Sequence, residues 1–284
     1  MLRIGVDTFI WSENFGIKDL WIIEKAKKLG FDTLDISISH PETFPVEEVR
    51  KEIARVGIDV VTTTTLNPET NLISPDPAIV RDGVKSMKEL VDINVRLGSP
   101  IIGGVNYAAW GYLPGRPRTQ AEWDTSIAAM REIAKYAKEK GEVAICLEPV
   151  NRFETHFLNI AEDAVRYCEE TGCDNVKVHL DTFHMIREEV SFVEAVRTCG
   201  KQYLGYVHVC ENNRGIPGTG LVPWKEFFKA LLEIGYVGPM CIESFDPSFV
   251  ELNRLCAIWR KFAPTGEELA IQGKRNLDKI IAAL

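Results

Sequence analysis

The chain is short of several things that would each have pointed to a particular function. No uninterrupted apolar run in its 284 residues approaches the ~20 that a membrane-spanning helix needs. The N-terminal MLRIGVDTFIW passes straight into strand-like sequence, with no basic stretch, apolar stretch and small-residue cleavage site in succession. The expected location is therefore the cytoplasm, away from any membrane. Cysteines are present but unpaired by pattern: Cys146, Cys168, Cys173, Cys199, Cys210, Cys241 and Cys256 are odd in number and form no CxxC pair or zinc-finger spacing. Reduced, mostly buried thiols are expected. Basic residues are outnumbered, 33 Lys and Arg against 41 Asp and Glu. The resulting net charge of -8 excludes nucleic acid as the main partner, because phosphate affinity comes largely from Lys and Arg displacing counterions. A small neutral ligand fits better.

The chain also lacks a GxGxxG turn or Walker loop after an early strand, so neither a dinucleotide nor an organic cofactor is expected. What it has is a recurring unit. A short β-branched or apolar run, a polar turn and an amphipathic helical pattern follow one another repeatedly, as in stacked βα units. Eight strands are predicted, at Arg3 to Asp7, Thr33 to Ser37, Asp59 to Thr64, Pro100 to Val105, Val143 to Glu148, Val176 to Asp181, Leu204 to Val209 and Met240 to Ser244. Helical patterns lie between them, and Gly30, Gly98 and Gly235 stand where helix C-termini need residues that tolerate left-handed dihedrals. With no Pro-, Gly- or Ser-rich linker, and with 45% hydrophobic residues to fill a core, the chain reads as one α/β domain over residues 1–284. The expected fold is a single (β/α)8 TIM barrel.

Such a barrel builds its active site at the C-terminal ends of its strands. Four consecutive predicted strands place an ionisable residue there: VAICLEP ends on Glu148, VKVHLD on Asp181, LGYVHVCE carries His208 and MCIES carries Glu243. Three carboxylates and an imidazole in one confined mouth would repel one another and resist burial unless a cation sat among them. One strand-end carboxylate alone would be an ordinary cap or ion pair, but four in succession indicate a divalent metal site. Mostly oxygen donors favour manganese, with magnesium or cobalt as alternatives.

The segments LEPVNRFETHFLN, HLDTFHM, GYVHVCENNRGIPGTG and IESF resemble those of the D-tagatose 3-epimerase and D-psicose (allulose) 3-epimerase family of sugar isomerase/epimerase barrels. TTLNPETNLISPD, GGVNYAAWGY and IWR extend the likeness over most of the chain. The resemblance implies that Glu148, Asp181, His208 and Glu243 bind the metal, and that Glu148 and Glu243 also act as acid and base. It further implies that Glu154, His184 and Arg214 contact a sugar near O1 to O3, that the sugar is unphosphorylated, and that the protein is a homodimer or homotetramer. The expected reaction is metal-dependent epimerisation of a ketose by C3 deprotonation and reprotonation through a cis-enediolate.

Other residues carry weaker signals. His179, inside a strand, is expected to be a hydrogen-bonded core histidine, and no role attaches to His40 or His156. Trp110 and Tyr107 can be read either as packing or as aromatic faces for a sugar. GVDTFIW departs from the family by placing Asp7 and Thr8 where aromatics are usual. An aldose-ketose isomerase, or a lyase or isomerase of 3-oxo-sugars or glycosides, would suit the same scaffold. A multi-zinc DNA-cutting barrel would need more than five histidines and a basic face. A non-catalytic sugar-binding protein would keep its function in Glu243→Gln.

Overall fold

A computed structural model describes residues 2–246 and 248–284. Eight parallel strands, β1 (Arg3–Asp7), β2 (Thr33–Ser37), β3 (Asp59–Leu66), β4 (Ile101–Ala109), β5 (Ala144–Leu147), β6 (Val176–Asp181), β7 (Leu204–His208) and β8 (Pro239–Ile242), pair in sequence order. The sheet closes where Arg3 to Val6 of β1 pair with Pro239 to Ile242 of β8. This is the expected (β/α)8 barrel. Among the described residues ten α-helices occupy the connections and the C-terminal segment: α1 (Trp21–Lys28), α2 (Val46–Val56), α3 (Pro77–Leu97), α4 (Gln120–Gly141), α5 (Ala161–Thr171), α6 (Thr182–Glu188), α7 (Phe192–Tyr203), α8 (Trp224–Glu233), α9 (Val250–Cys256) and α10 (Gly266–Ala282). No helix among the described residues is long and apolar enough to cross a membrane.

All eight strands lie where the sequence pattern puts them, and the differences are at their ends. β4 runs four residues further than Val105, in partnership with a β3 that extends to Leu66 across a register shift. β5 and β8 stop at Leu147 and Ile242, so Glu148 and Glu243 are the first residues beyond their strands, where the backbone leaves the wall. Gly98 takes the left-handed conformation that closes α3, and Gly30 and Gly235 do so one residue beyond the caps of α1 and α8. Helices α6, α9 and α10 have no counterpart in the sequence reading.

The barrel interior is layered, and this layering positions the site. At the floor, Val61, Ile101, Cys146 and Cys241 pack with the ring of Tyr206. Gly103 makes room for that ring, since a Cβ there would stand 2.9 Å from Tyr206 Cδ1. Above it comes a polar layer of Asp7, Asp35, Ser37, Thr63, His179 and His208, all buried. Of the seven free cysteines, five are buried and two half-buried.

Helix α4 begins with a capping box: Thr119 Oγ1 accepts from the Glu122 N–H at 3.2 Å, while Glu122 Oε2 accepts from the Thr119 N–H at 2.7 Å. Arg116 grips the same carboxylate through two hydrogen bonds of 2.9 and 2.8 Å, and above all for that reason its pKa falls from 4.5 to about 2. Thr119→Ala is expected to lower the unfolding free energy by about 1 kcal/mol in urea at pH 7. Because the folded-state pKa is depressed, the stability gained from Glu122 is present above about pH 4.5 and lost as the pH falls towards 2. The stability deficit of Glu122→Gln relative to the unmodified chain should accordingly shrink over that interval.

Candidate active site

At the C-terminal mouth of the barrel the ends of β6 and β7 bring Asp181 and His208 side by side in register. Asp181 also caps α6, its Oδ1 accepting from the Phe183 N–H at 2.7 Å, which leaves Oδ2 free to face the mouth. His208 is held from below. Its Nε2 lies 2.9 Å from Asp35 Oδ2, an oxygen that also accepts from the Tyr206 hydroxyl at 2.5 Å, while Thr63 donates to Asp35 Oδ1. The contact assigns the ring proton to Nε2 and turns Nδ1 upward, where it is buried without a hydrogen-bond partner, 3.4 Å from Glu243 Oε2 and 4.0 Å from Asp181 Oδ2.

These donors fit a divalent cation. Asp181, His208 and Glu243 each offer a ligand atom within 4.8 Å of the others, and Glu148 offers one within the same distance of Asp181 and of His208. An orphaned imidazole nitrogen flanked by two carboxylate oxygens is the arrangement a metal-ligating histidine takes, with its other nitrogen tied to a carboxylate. The electrostatics agree. Burial pulls the pKa of His208 down, but Glu243 and Asp35 outweigh it and carry it well above the usual histidine range. The mouth draws positive charge to the Nδ1 position.

The two glutamates are pushed apart. Burial, reinforced by Asp181 and Glu243, raises Glu148 well above the ordinary carboxylate range against the pull of His208 and Arg214. Burial would raise Glu243 too, but there Arg214 and then His208 prevail and hold it well below that range. Carboxyls that line one cavity with opposite shifts are the usual mark of an acid and base pair.

Arg214 is the centre of the polar contacts. Its Nη1 donates to Asp181 Oδ2 at 2.7 Å and to Glu243 Oε2 at 2.6 Å, and its guanidinium lies 4.1 Å from the centre of the Phe183 ring. The residue is bent into left-handed backbone with φ of 60°, a strained choice for a side chain of this size. Its loop maintains the bend. Arg214 N–H donates to Glu211 C=O, Ser244 donates to Arg214 C=O, and the buried Glu211 carboxylate accepts from the N–H groups of Asn212, Gly218 and Val222 and from Trp224 Nε1.

His184, one turn into α6, accepts the Asn151 N–H at Nδ1 and turns Nε2 towards Glu148 Oε1 at 3.7 Å. Asn151 and Trp110 Nε1 each donate to Glu154, at 2.7 and 2.8 Å. Trp110, Glu148, Glu154, His184, Arg214 and Glu243 line one cavity of about 320 Å³. Past Asn14, Ser39 and His40 it adjoins a second hollow of about 360 Å³ between the segments after β1 and β2. A larger hollow of about 890 Å³ lies between α3 and α4 on the barrel's outside, remote from these groups.

The residues anticipated as site members thus converge, with one exception. Tyr107 is fully buried and donates to the Glu148 carbonyl at 2.8 Å, so its ring backs the wall and does not face the cavity. His179 is the core histidine expected, with Nδ1 accepting the Gly104 N–H. Asp7 does not reach the cavity. It is buried below the mouth with Ser37 as donor, and burial together with Asp35 and Glu243 raises its pKa well above normal. Asp35, Asn151 and Glu211 escaped the sequence reading. A lone acid in the strand TLDIS was the one signal for Asp35.

The xylose isomerase-like TIM barrel family matches residues 23–279. The chain is 34% identical to a ketose 3-epimerase of Arthrobacter globiformis over 99% of this chain and 98% of that one. It is 36% identical to an L-ribulose 3-epimerase of Mesorhizobium japonicum over 92% and 88%. Among solved structures, the D-allulose 3-epimerase of Methylomonas sp. in complex with D-allulose superposes with a TM-score of 0.93 at 31% identity, covering 98% of this chain and 96% of that one.

Removing the carboxylate that fixes the His208 ring should be felt at Nδ1. Asp35→Asn is expected to weaken divalent-metal binding by roughly 10- to 100-fold in calorimetric titration while the far-ultraviolet spectrum is unchanged. Unaltered affinity would remove Asp35 from the site.

Proposed function

The chain belongs to the ketose 3-epimerases of the xylose isomerase-like TIM-barrel family, and from that premise we propose that it inverts C3 of an unphosphorylated ketose with a divalent metal held by Glu148, Asp181, His208 and Glu243. Manganese suits the mainly oxygen donor set best, with magnesium and cobalt as alternatives. The observation that carries the reading is the pair of glutamates just past β5 and β8, Glu148 buried and Glu243 half-buried, which line one cavity and whose pKa values are shifted in opposite directions.

A bound metal would supply Lewis acidity to the ketose carbonyl and neighbouring hydroxyl, without which a carbon acid of this kind is too weak for a carboxylate base. Glu243, kept ionised by Arg214 and His208, takes the C3 proton. Glu148, across the same cavity, returns a proton to the other face of the cis-enediolate, and the roles exchange in the reverse direction. No net oxidation occurs, so the residues need no organic redox partner. Arg214 and His184 face the reacting end and are placed to hold its hydroxyls. Glu154, oriented by Asn151 and Trp110, offers an acceptor, and Trp110 offers an apolar face.

The hollow beyond Asn14, Ser39 and His40 favours one second reading, a 3-oxo-sugar carrying a bulky substituent, handled by the same acid and base pair. Incubation with D-fructose in deuterated water separates the two. The leading reading expects deuterium at C3 together with D-psicose in the NMR spectrum. Exchange at C1 alone, or none with any ketose, would sink it. Glu243→Gln should lower kcat by about 10²-fold or more with thermal unfolding unchanged, whereas a protein that only binds sugar would keep its affinity.

A further inference from the structure

We propose that Cys210 is a further ligand of this metal site and raises its affinity for thiophilic ions relative to magnesium. The inference rests on the metal-site reading above. Cys210 follows His208 by two residues and is fully buried. Its Sγ lies 2.8 Å from Arg214 Nη1, the same atom that Asp181 Oδ2 and Glu243 Oε2 meet at 2.7 and 2.6 Å. Two carboxylate oxygens and a sulfur therefore surround one point already chosen by a positive charge. Independently, the partnerless Nδ1 of His208 is aimed into the same group, and the ligand atoms of Asp181, His208, Cys210 and Glu243 all lie within 4.8 Å of one another. That grouping, with Arg214 Nη1 already meeting three of the four, sets the thiol beside the oxygen and nitrogen donors of the site.

The backbone holds the thiol in place. Thr182 Oγ1 accepts from the Cys210 N–H at 2.8 Å and lies 2.6 Å from the Cys210 carbonyl, tying the segment after β7 to the residue after Asp181. The contrast with Cys146 and Cys241 is informative, because those thiols pack against Val61, Ile101 and Tyr206 and fill the barrel floor. Cys210 instead faces an arginine and two acids.

On coordination the Sγ–H proton passes to solvent, a sulfur lone pair forms the metal-sulfur bond, and Arg214 Nη1 leaves the shared point for the cavity, where substrate hydroxyls would meet it. A soft sulfur added to the hard carboxylate oxygens and the imidazole nitrogen favours cobalt, zinc or cadmium over magnesium.

The test uses the full chain, stripped with a chelator and titrated with Co²⁺ under anaerobic conditions. Visible ligand-field absorption with a near-ultraviolet sulfur-to-cobalt charge-transfer band at one equivalent is expected, the latter absent from Cys210→Ser and Cys210→Ala. Cd²⁺ affinity should fall by roughly tenfold or more in both variants, with Mg²⁺ affinity held within about twofold. Ligand-field absorption without the charge-transfer band in the unmodified chain, or a band that survives both substitutions, overturns the role of Cys210 and leaves the metal site standing. Failure of the unmodified chain to bind Co²⁺ any better than Asp181→Asn overturns the metal site itself, and the thiol ligand with it.

Discussion

The tie between Asp35 and His208 is the interaction on which the mouth of this barrel depends. Asp7, Asp35, Glu148, Asp181 and Glu243 are gathered at one end of an apolar barrel, where each ionised carboxylate costs several kcal/mol unless something answers its charge. Asp35 answers through Tyr206, Thr63 and the imidazole, and in doing so leaves Nδ1 unsatisfied at the centre of the remaining acids. The apolar floor beneath serves the same end, since Gly103 admits the Tyr206 ring that carries its hydroxyl up to Asp35. Packing, polar layer and open donor set are one arrangement.

Arg214 answers the charge from above, and its loop is built around that task. Its left-handed backbone would be costly in isolation, and the buried Glu211 carboxylate, taking four donors, offsets the cost by holding residues 211–224 in one shape. The guanidinium lies against Phe183 and Phe245, beside Asp181 and Glu243 and at the wall of the cavity. The same group thereby governs both the charge at the ligand cluster and access to the sugar cavity.

Much of the architecture was legible in the sequence because strands and helices announce themselves by local period. Runs such as VAICLEP and VKVHLD are mainly apolar before Glu148 and Asp181, and a carboxylate at that point of a parallel strand has one exit, the C-terminal mouth. That is why Glu148, Asp181, His208 and Glu243 could be found without coordinates. Asn151, Glu211 and Cys210 could not. Each sits in a loop or just past a strand end, where direction depends on turns that no period encodes, and Tyr107 was ambiguous because alternation alone does not say whether a long strand ends in the wall or above it.

By itself, then, the chain determined the repeating βα order, the eight strand positions and the ionisable residues at four strand ends, since each follows from neighbours a few residues apart. Only the closed barrel decided which of those residues share a point in space. Asp35 and His208 stand 173 positions apart on β2 and β7 and meet across the interior, and the choice of which His208 nitrogen faces the mouth is made entirely by that contact. Spacing in sequence sets what a strand can present, whereas the choice of partner across the barrel depends on closure.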